Sequence, residues 1–379
     1  MIPPRRLPHT LLLCSLALAL AGHAGPAPRL LVALPDECHT PDGCTLDSAG
    51  GIILSIPNFN NEALVKAGVL DKPAPPRMVR IDSKGKLTTW YRFQAGDRHP
   101  KTGAIGPMDC AFGPDGNLYL ADNQPSEPGG FNSRLLRINV KKGKAVSCEP
   151  VVLGFGVANA VVWKDNTVYV SDTVLIPADK EKPGSKLVSG VYAIPAAAWK
   201  DGPVKLRRPA ADSADPRLMA RYETSGRIGF GADGLVFDDK GNLYCGIFED
   251  GIIYRTRFDA EGKAMPPELF ARDPAMASCD GIDWRPSDRK IYVADMLRNA
   301  VQVVAMDGSV ETLHRNGDTD GSNGLLDQPC EVLVDGNRLV VVNMDWWWDC
   351  KWLTNKKVDR PFTVSVIDLK PPKKKDSRP

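Results

Sequence analysis

A short pattern recurs six times along the chain and constrains its fold more than any other feature. Each copy has a small or polar segment, a short apolar strand, a tight turn and a second apolar strand. The paired segments are residues 41–46 with 52–56, 107–112 with 118–122, 158–163 with 168–172, 232–237 with 243–246, 279–284 with 291–295, and 329–334 with 339–343. Such repetition is typical of small sheets arranged radially around an axis.

The residues between the paired strands favour hairpins. Residues 113–117 read Gly-Pro-Asp-Gly-Asn, where glycine supplies a positive φ angle and aspartate caps the turn. Further alternating strands follow each hairpin, for example at residues 135–140 and 301–304. Four strands per copy predict an all-β chain, a six-bladed β-propeller with four-stranded antiparallel blades. An open sandwich would not explain six copies in one register.

The two ends of the repeat region offer a way to close the ring. Residues 30–34 form an apolar strand before the first copy, and residues 362–367 form another after the sixth. We expect the first of these strands to become the outer strand of blade six, because that pairing removes an exposed sheet edge.

Residues 1–24 have the pattern of a signal peptide: two early arginines, an apolar run at 11–21 and small residues at 22–24. That run is too short to span a bilayer, and no later stretch is long enough. We therefore expect a secreted or periplasmic chain with no membrane contact after cleavage. Its predicted parts are one propeller domain at residues 25–370 and a basic, disordered tail at 371–379.

Net charge and cysteine content indicate which classes of partner and which redox compartment to expect. A formal net charge of +2 over 379 residues is not a polyanion-binding pattern, so no nucleic-acid partner is expected. Nine cysteines, eight of them after residue 24, favour an oxidising compartment with disulfide bonds. Cys38 with Cys44 and Cys330 with Cys350 are two of many possible pairings.

One position in the repeat is chemically unusual. We call it the slot; it lies directly before the inner apolar strand and is occupied, copy by copy, by Asp42, Met108, Asn159, Asp233, Asp280 and Cys330. Equivalent positions of a propeller converge on its axis, so the oxygen-bearing side chains would meet there. Clustered carboxylates repel one another unless a cation lies among them. Calcium suits carboxylate and amide oxygens best, and another divalent ion is possible.

A single Asp-Gly at this position is best interpreted as a turn. Four oxygen donors in the same register favour a metal site instead. In the two copies whose slot holds Met108 or Cys330, the next residue is Asp109 or Glu331, whose carboxylates could contact the ligands of the ion or serve as extra ligands.

The strings at residues 232–238, 279–284 and 112–119 resemble the gluconolactonase/regucalcin-like (senescence marker protein) superfamily of six-bladed β-propellers. Residues 157–160 with 168–172 are similar to a blade of its paraoxonase and strictosidine synthase-like relatives. The resemblance implies an axial metal held by Asp42, Asn159, Asp233 and Asp280. It also implies hydrolysis of a lactone or ester, with Asp280 as the general base and Asp233 as the second candidate.

Arg227 corresponds to an arginine that, by the same resemblance, binds a polar substrate; its alternative is a surface charge. The chain departs from the pattern at Asp42, where the gluconolactonase branch usually has the longer glutamate. No histidine pair of the paraoxonase type is present, and only His39 and His314 are attractive single histidines.

Three inserts interrupt the repeat, at residues 57–77, 174–227 and 345–360. The first is expected to hold a short helix near 61–67, and the third contains three tryptophans that either line a pocket or pack on the surface. Residues 316–321, Asn-Gly-Asp-Thr-Asp-Gly, resemble a calcium loop, but the twelfth position is Asp327 instead of glutamate, so we interpret them as an ordinary loop.

These features support two main functions. The first is an exported, calcium-dependent hydrolase of lactones or esters that acts as a monomer on a small molecule. The second is a binding or scaffold propeller in which calcium is structural, since the fold hosts both. Non-hydrolytic chemistry on carbon–carbon or carbon–nitrogen bonds is a third class that the residues leave open.

Overall fold

Each of the six predicted strand pairs is an antiparallel hairpin. Its two strands are apolar, and its turn holds a residue with positive φ, such as Gly116 at 75° and Gly241 at 76°. The computed structural model describes residues 25–124, 130–179, 181–182, 184–209 and 215–371. The predicted signal peptide at 1–24 and positions 372–379 of the predicted tail lie outside the described residues.

The hairpins extend into six antiparallel sheets, so the predicted six-bladed propeller is confirmed. Strand β1 spans Arg29–Ala33. Blade one contains β2 (Cys44–Leu46), β3 (Ile52–Ile56), β4 (Arg77–Ile81) and β5 (Leu87–Arg92). Blade two contains β6 (Pro107–Phe112), β7 (Leu118–Asp122), β8 (Ser133–Lys141) and β9 (Lys144–Phe155). Blade three contains β10 (Ala158–Lys164), β11 (Thr167–Ile176), β12 (Leu187–Pro195) and, after the short β13 (Val204–Lys205), β14 (Leu218–Thr224).

The remaining blades follow the same order. Blade four contains β15 (Ala232–Phe237), β16 (Leu243–Ile247), β17 (Ile252–Thr256) and β18 (Glu268–Arg272). Blade five contains β19 (Ile282–Arg285), β20 (Lys290–Asp295), β21 (Ala300–Val304) and β22 (Val310–Arg315). Blade six contains β23 (Pro329–Asp335), β24 (Arg338–Asn343) and β25 (Thr363–Asp368), with β1 as its fourth strand.

The ring closes as the sequence predicts, because β1 pairs antiparallel with β25 in blade six. Blade two departs from four strands, since β13 adds to β9 in parallel as a fifth strand. The predicted helix in the first insert is α1 (Asn61–Lys66). Single turns of 3₁₀ helix occur at Ala95–Asp97, Ala196–Trp199, Met296–Arg298 and Ser322–Gly324. None of the helices in the described ranges is long and apolar enough to cross a membrane.

The core consists of one apolar cluster at each contact between neighbouring blades. Tyr169 and Val191 of blade three, for example, pack with Leu235 and Leu243 of blade four. Equivalent clusters lie at the other five contacts, so the ring is held by burial of apolar surface all the way round.

A second set of buried polar groups ties each blade to the segment that enters it. Asp172, within the second strand of its blade, accepts hydrogen bonds from the Gly156 and Val157 amides at 2.8 and 2.7 Å. Asp295 accepts from the Ala277 and Ser278 amides at 3.0 and 2.9 Å. These carboxyls satisfy backbone donors that would otherwise be buried without partners. We interpret them as framework residues.

The disulfide predictions are wrong for this structure: the eight cysteines after residue 24 are all free. Cys330 directs its Sγ at the Pro41 carbonyl oxygen, 3.4 Å away, while Cys350 lies half-buried in the third insert. Cys38 and Cys44 are both buried in an apolar cluster, and burial raises the pKa of the Cys38 thiol to about 11. A thiol in such surroundings is a poor source of reactive thiolate.

Candidate active site and metal donors on the propeller axis

A β-bulge in the inner strand positions each slot residue. In blade five the Asp280 amide donates to the Ala294 carbonyl at 3.1 Å, and the Ala294 amide donates to the Gly281 carbonyl at 2.9 Å. Asp280 and Gly281 therefore lie opposite the single residue Ala294 on the partner strand. In blade one, Asp42 and Gly43 oppose Ser55 in the same way. The ladders of the other four blades change register at the corresponding place. A bulge redirects side chains out of the strand alternation.

The four predicted donors are brought together by this geometry. The side chains of Asn159 and Asp280 are hydrogen-bonding neighbours of the Asp233 carboxyl, and the Asp42 carboxyl acts on it electrostatically. Asp280 in turn interacts with Asp233 and Asp42. Donors from blades three, four and five thus lie together, and the carboxyl from blade one is near enough to act on them through its charge.

Burial raises the pKa values of this cluster, and mutual repulsion adds to the effect. The pKa of Asp42, which is 8% exposed, rises to about 7 because of burial. The pKa values of Asp233 and Asp280 lie well above the usual range, from burial first and then from each other and Asp42. The charges that act most strongly on Asp233 and Asp280 are those of other carboxyls.

Three more carboxyls extend the cluster, and one of them is not visible from the slot pattern. Burial raises the pKa of Asp109 to about 7 and that of Glu331 well above its usual value, and each also acts on Asp42 or is acted on by it. Asp283, three residues after its slot, is the carboxyl that the sequence interpretation missed; burial raises its pKa to about 6. Its position is apolar in four of the other five copies, with Thr45 as the exception, and this contrast is the signal that could have identified it.

Two of these additional carboxyls also join neighbouring blades. Asp109 of blade two accepts from the Val161 amide of blade three at 2.8 Å. Asp283 of blade five accepts from the Val334 amide of blade six at 2.7 Å. These bonds occupy carboxylate oxygens with framework contacts, so we do not count Asp109 or Asp283 among the primary donors.

Glycine follows the slot wherever the slot holds a carboxylate, and the reason is close packing. A Cβ at Gly234 would lie 2.3 Å from the Asp280 carbonyl oxygen. A Cβ at Gly43 would lie 2.2 Å from the Asp109 Cα, and one at Gly281 would lie 2.1 Å from a Glu331 carboxylate oxygen. The absent side chains let adjacent inner strands approach and bring their carboxylates together.

The side chains grouped here are oxygen donors, which a hard cation prefers, but they are fewer than such a cation needs. Across the described ranges, no three His, Cys, Asp or Glu side chains are grouped closely enough to hold a metal. Asp233 and Asp280 touch each other, with the amide of Asn159 as the third group. Two carboxylates and an amide are oxygen donors that calcium accepts, and carbonyl oxygens or water would complete its shell.

Arg227 lies at the rim of the same face. Its guanidinium donates to the carbonyl oxygens of Glu249 and Ala277, and it stacks over the Trp352 ring with 4.9 Å to the centroid. The side chain is exposed. The neighbouring carbonyls hold it in place, and the axial carboxyls are not among its hydrogen-bond acceptors in this structure.

The two single histidines differ in position. His39 is fully buried, and its Nε2 lies 3.2 Å from Asn61 Oδ1 of helix α1. His314 lies in β22, the outer strand of blade five, where burial lowers its pKa. His314 therefore sits on the perimeter and not on the axis.

Aromatic side chains of the inserts pack over the slot face. Trp346 and Trp348 stack at 5.2 Å; Phe59 contacts Trp346, and Phe230 contacts Trp348. We call these four residues the aromatic cover. Phe59 packs against the clusters that contain the slot residues Cys330 and Met108, so the cover reaches from blade one across blade six to blade four. Of the two predicted roles for the tryptophans, Trp346 and Trp348 show packing, whereas Trp347 is 63% exposed.

Two cavities, of about 320 and 600 Å³, lie elsewhere. Their walls include Asp288 and Tyr292 of blade five, and Asp115 and Trp163 of blades two and three. Asp115 and Asp288 belong to hairpin turns at the end of the blades opposite the slots. These cavities are separate from the axial site.

Comparison with known proteins supports the fold. No protein-family model matches the chain, and no curated protein matches its sequence. Among solved structures, a gluconolactonase from Xanthomonas campestris has a TM-score of 0.53 at 13% identity, covering 92% of this chain and 96% of that one. The calcium-binding protein regucalcin from Agrobacterium tumefaciens has a TM-score of 0.53 at 10% identity, covering 92% and 95%.

A quinone enzyme has the same level of similarity. The PQQ-bound aldose sugar dehydrogenase from Streptomyces coelicolor has a TM-score of 0.53 at 13% identity, covering 92% of this chain and 99% of that one. At such identities the likeness establishes a shared six-bladed propeller fold and leaves the activity to the residues of the site.

Proposed function

We propose that this chain is an exported hydrolase of lactones or esters that depends on calcium, or on another divalent ion, bound at the propeller axis. The observation that carries the proposal is the meeting of Asp233 with Asn159 and Asp280, with the Asp42 carboxyl near enough to act on both carboxyls through its charge. The fold shared with a gluconolactonase and with a calcium-binding regucalcin supports it.

The two central carboxyls are suited to different tasks. Asp233 is 5% exposed and is flanked by Asn159 and Asp280, so its side chain is held in one place. Asp280 lies beside it with partial exposure, where a water molecule can reach it. We therefore assign proton acceptance from water to Asp280 and ion binding to Asp233, with Asn159 and Asp42 as further donors. A bound cation would polarise the substrate carbonyl and stabilise the charge that develops on its oxygen.

Arg227 is the proposed contact for a polar substrate group. Its guanidinium is positioned at the rim by two carbonyl oxygens and the Trp352 ring, and its exposed edge carries the charge that a hydroxyl or carboxylate of a substrate would need. Export is proposed from residues 1–24 of the sequence alone.

The first experiment is a hydrolysis assay on a panel of lactones and aryl esters with metal-stripped protein, with and without calcium. Asp280→Asn preserves the shape of the side chain and removes the base. We expect calcium-dependent turnover in the wild type and a loss of about 100-fold or more in the variant. Turnover that survives in the variant would refute the role of Asp280.

Asp283→Asn is the matched control, because Asp283 is a half-buried carboxyl of the same blade, as Asp280 is, and its oxygens accept from the Trp284 and Val334 amides. We expect it to lower stability more than turnover per folded molecule. Circular dichroism and melting curves of both variants separate loss of folding from loss of chemistry.

A binding or scaffold propeller is the second candidate, and the aromatic cover favours it. Trp346 and Trp348 pack across the slot face between blades four and six, which restricts access to the axis. In that case calcium raises the melting temperature and no member of the substrate panel is hydrolysed. No response to any divalent ion would exclude both candidates.

A further inference from the structure

A second group of buried oxygens lies away from the slots, where the loop before blade six meets the third insert. The Met344 amide donates to the Gln328 carbonyl at 3.0 Å, and the Asp327 amide donates to Asn343 Oδ1 at 3.1 Å. Asp327 and Asp345 flank this antiparallel contact, one on each of the two segments. They are 1% and 0% exposed, so both carboxyls are inside the protein.

Asn355 connects this pair to the loop. Its Nδ2 donates to Asp327 Oδ1 and to the Thr319 carbonyl oxygen, the latter at 2.9 Å. Gln328 holds the insert on both sides, because its Oε1 accepts from the Trp346 amide at 3.0 Å and its Nε2 donates to the Asn355 carbonyl oxygen at 3.4 Å. Hydrogen bonds to neighbouring backbone groups therefore hold the side-chain oxygens of this group in position.

Two of the buried oxygens have no partner. Asp345 accepts from the Asp359 amide through Oδ2 at 2.8 Å, but its Oδ1 makes no hydrogen bond. Asn355 Oδ1 is also without one, and Asn355 is 0% exposed. A buried oxygen acceptor without a donor costs free energy, and two such oxygens beside a buried carboxyl need an electropositive partner.

The surrounding charge is negative. Asp327 interacts with Asp345, Asp359 and Asp320, and Asp345 interacts with Asp359 and Asp318. Burial, followed by these carboxyls, raises the pKa of Asp327 to about 9. Arg360, a cation of the same insert, forms its ion pair with Asp36 at 2.9 Å, and Lys356 and Lys357 are exposed.

The loop itself has a suggestive sequence. Residues 316–321 carry Asp318 and Asp320 at the third and fifth positions of a calcium-loop pattern, and Asp327 is at the twelfth. The sequence interpretation set this pattern aside because glutamate is missing at that position. The structure places Asp345 and Asn355 from a distant segment beside Asp327, which supplies oxygens that the loop alone lacks.

We propose that Asp327, Asp345 and Asn355 Oδ1 form a second cation site, for a hard divalent ion of the calcium class. The ion joins the loop at 316–328 to the insert at 345–360. The site combines the amide oxygen of Asn355 with the carboxylates of Asp327 and Asp345, and in the described ranges no third His, Cys, Asp or Glu side chain is grouped with these two carboxylates. It is independent of the axial site and of any hydrolytic activity.

The test is calcium titration calorimetry on the metal-stripped full chain. Wild type, Asp345→Asn, Asp280→Asn and the double variant are compared. We expect Asp345→Asn to bind one calcium fewer than the wild type, and the double variant to bind one fewer than Asp280→Asn. Equal stoichiometry and equal affinity in Asp345→Asn and the wild type would overturn the proposal, whatever the hydrolysis assays show.

Asn355→Asp is a second test, in which calcium binding is expected to be kept or strengthened instead of lost. If Asn355 only donates hydrogen bonds to Thr319 and Asp327, a carboxylate there adds repulsion and calcium does not repair it. If it is a ligand, the variant binds calcium at least as tightly as the wild type, and calcium restores its melting temperature. Failure of calcium to restore stability contradicts the proposal.

Proteolysis provides a readout that needs no change at the site. In Asp233→Asn protein, in which the axial site is disrupted, calcium should slow tryptic cleavage after Lys351, Lys356 and Lys357 by about tenfold or more, since cleavage follows the population of the opened segment. Cleavage at an unchanged rate when calcium is saturating would also overturn the proposal.

Discussion

The axial cluster and the blade-six cluster are both groups of buried carboxyls, but they arise in different ways. At the axis, Asp42, Asp233 and Asp280 come from the same position of different copies, and a bulge turns each one inward. At blade six, Asp327 and Asp345 come from a loop and an insert that occur once. The first site is a product of repetition, and the second is a product of one long-range contact.

The comparison shows what each site depends on. The axial donors sit on inner strands whose spacing is set by glycines and by apolar clusters between blades, so disturbing one strand alters the whole ring. The blade-six donors depend on Gln328, Asn355 and a few backbone bonds within one segment. We expect the axial site to be coupled to global stability and the blade-six site to local order.

The largest expected effect comes from Gly234→Ala. The new Cβ would meet the Asp280 carbonyl oxygen at 2.3 Å and the Ile282 amide nitrogen at 2.8 Å, and backbone atoms cannot move aside as a side-chain tip can. We expect the free energy of unfolding to fall by about 2–3 kcal/mol, measured by chemical denaturation, together with weaker axial calcium binding.

Gly96→Ala is the control for that change, because no other atom lies within 4 Å of a Cβ built there. It should alter the free energy of unfolding by no more than about 0.5 kcal/mol. An equally small change in the free energy of unfolding for Gly234→Ala would mean that the inner strands are packed less tightly than the distances indicate. The axial site would then be coupled to global stability no more than the blade-six site is.

The proximity of the slot oxygens could be predicted because equivalent positions of a repeat converge, whereas their role as metal donors stays a prediction. Asp42, Asn159, Asp233 and Asp280 share one register, so a single inference about the slot placed all four. The closing pair of β1 with β25 followed from the need to cover an edge. Neither inference needed to know how far apart any two residues lie.

The remainder could not be predicted, because it depends on distances that no pattern encodes. The sequence marks Asp283 as a carboxylate at a position that is apolar in most other copies, but its bond to the Val334 amide of the next blade is not encoded by the repeat. Asn355 and Asp345 meet Asp327 through the course of a unique insert. The free cysteines teach the same lesson, because spacing along the chain allowed Cys330 with Cys350 while Cys330 Sγ contacts Pro41 and Val342.

A smaller effect tests whether the two cation sites are separate. Calcium at 100 times its dissociation constant should stabilise the wild type by about 2.7 kcal/mol for each site. Asp233→Asn and Asp345→Asn should each remove one such contribution, and the variant that combines them should remove both, with the losses adding within about 0.5 kcal/mol. Thermal melts with and without calcium measure these losses. Strong non-additivity would mean that one ion, or one coupled network, serves both clusters.

The smallest expected effect concerns His39, which holds the first insert against the end of the third. Its Nε2 meets Asn61 Oδ1, and its ring lies 5.7 Å from that of Phe362. Burial lowers the pKa of His39 from 6.5 to about 4. Between these two values the unfolded chain binds the proton and the folded chain does not, so acid favours unfolding and stability falls as the pH falls.

We therefore expect the wild type to lose about 1 kcal/mol more than His39→Gln between about pH 7 and about pH 5.5, measured by urea denaturation at both pH values. Glutamine keeps a group able to bond Asn61 and has no proton to gain. The difference between the two proteins isolates His39, because the axial and blade-six carboxyls, whose raised pKa values act in the opposite direction, are the same in both. Parallel pH profiles for the two proteins would show that the inserts are not held together through a neutral His39. Local order at the blade-six site would then depend on its own buried oxygens and on calcium.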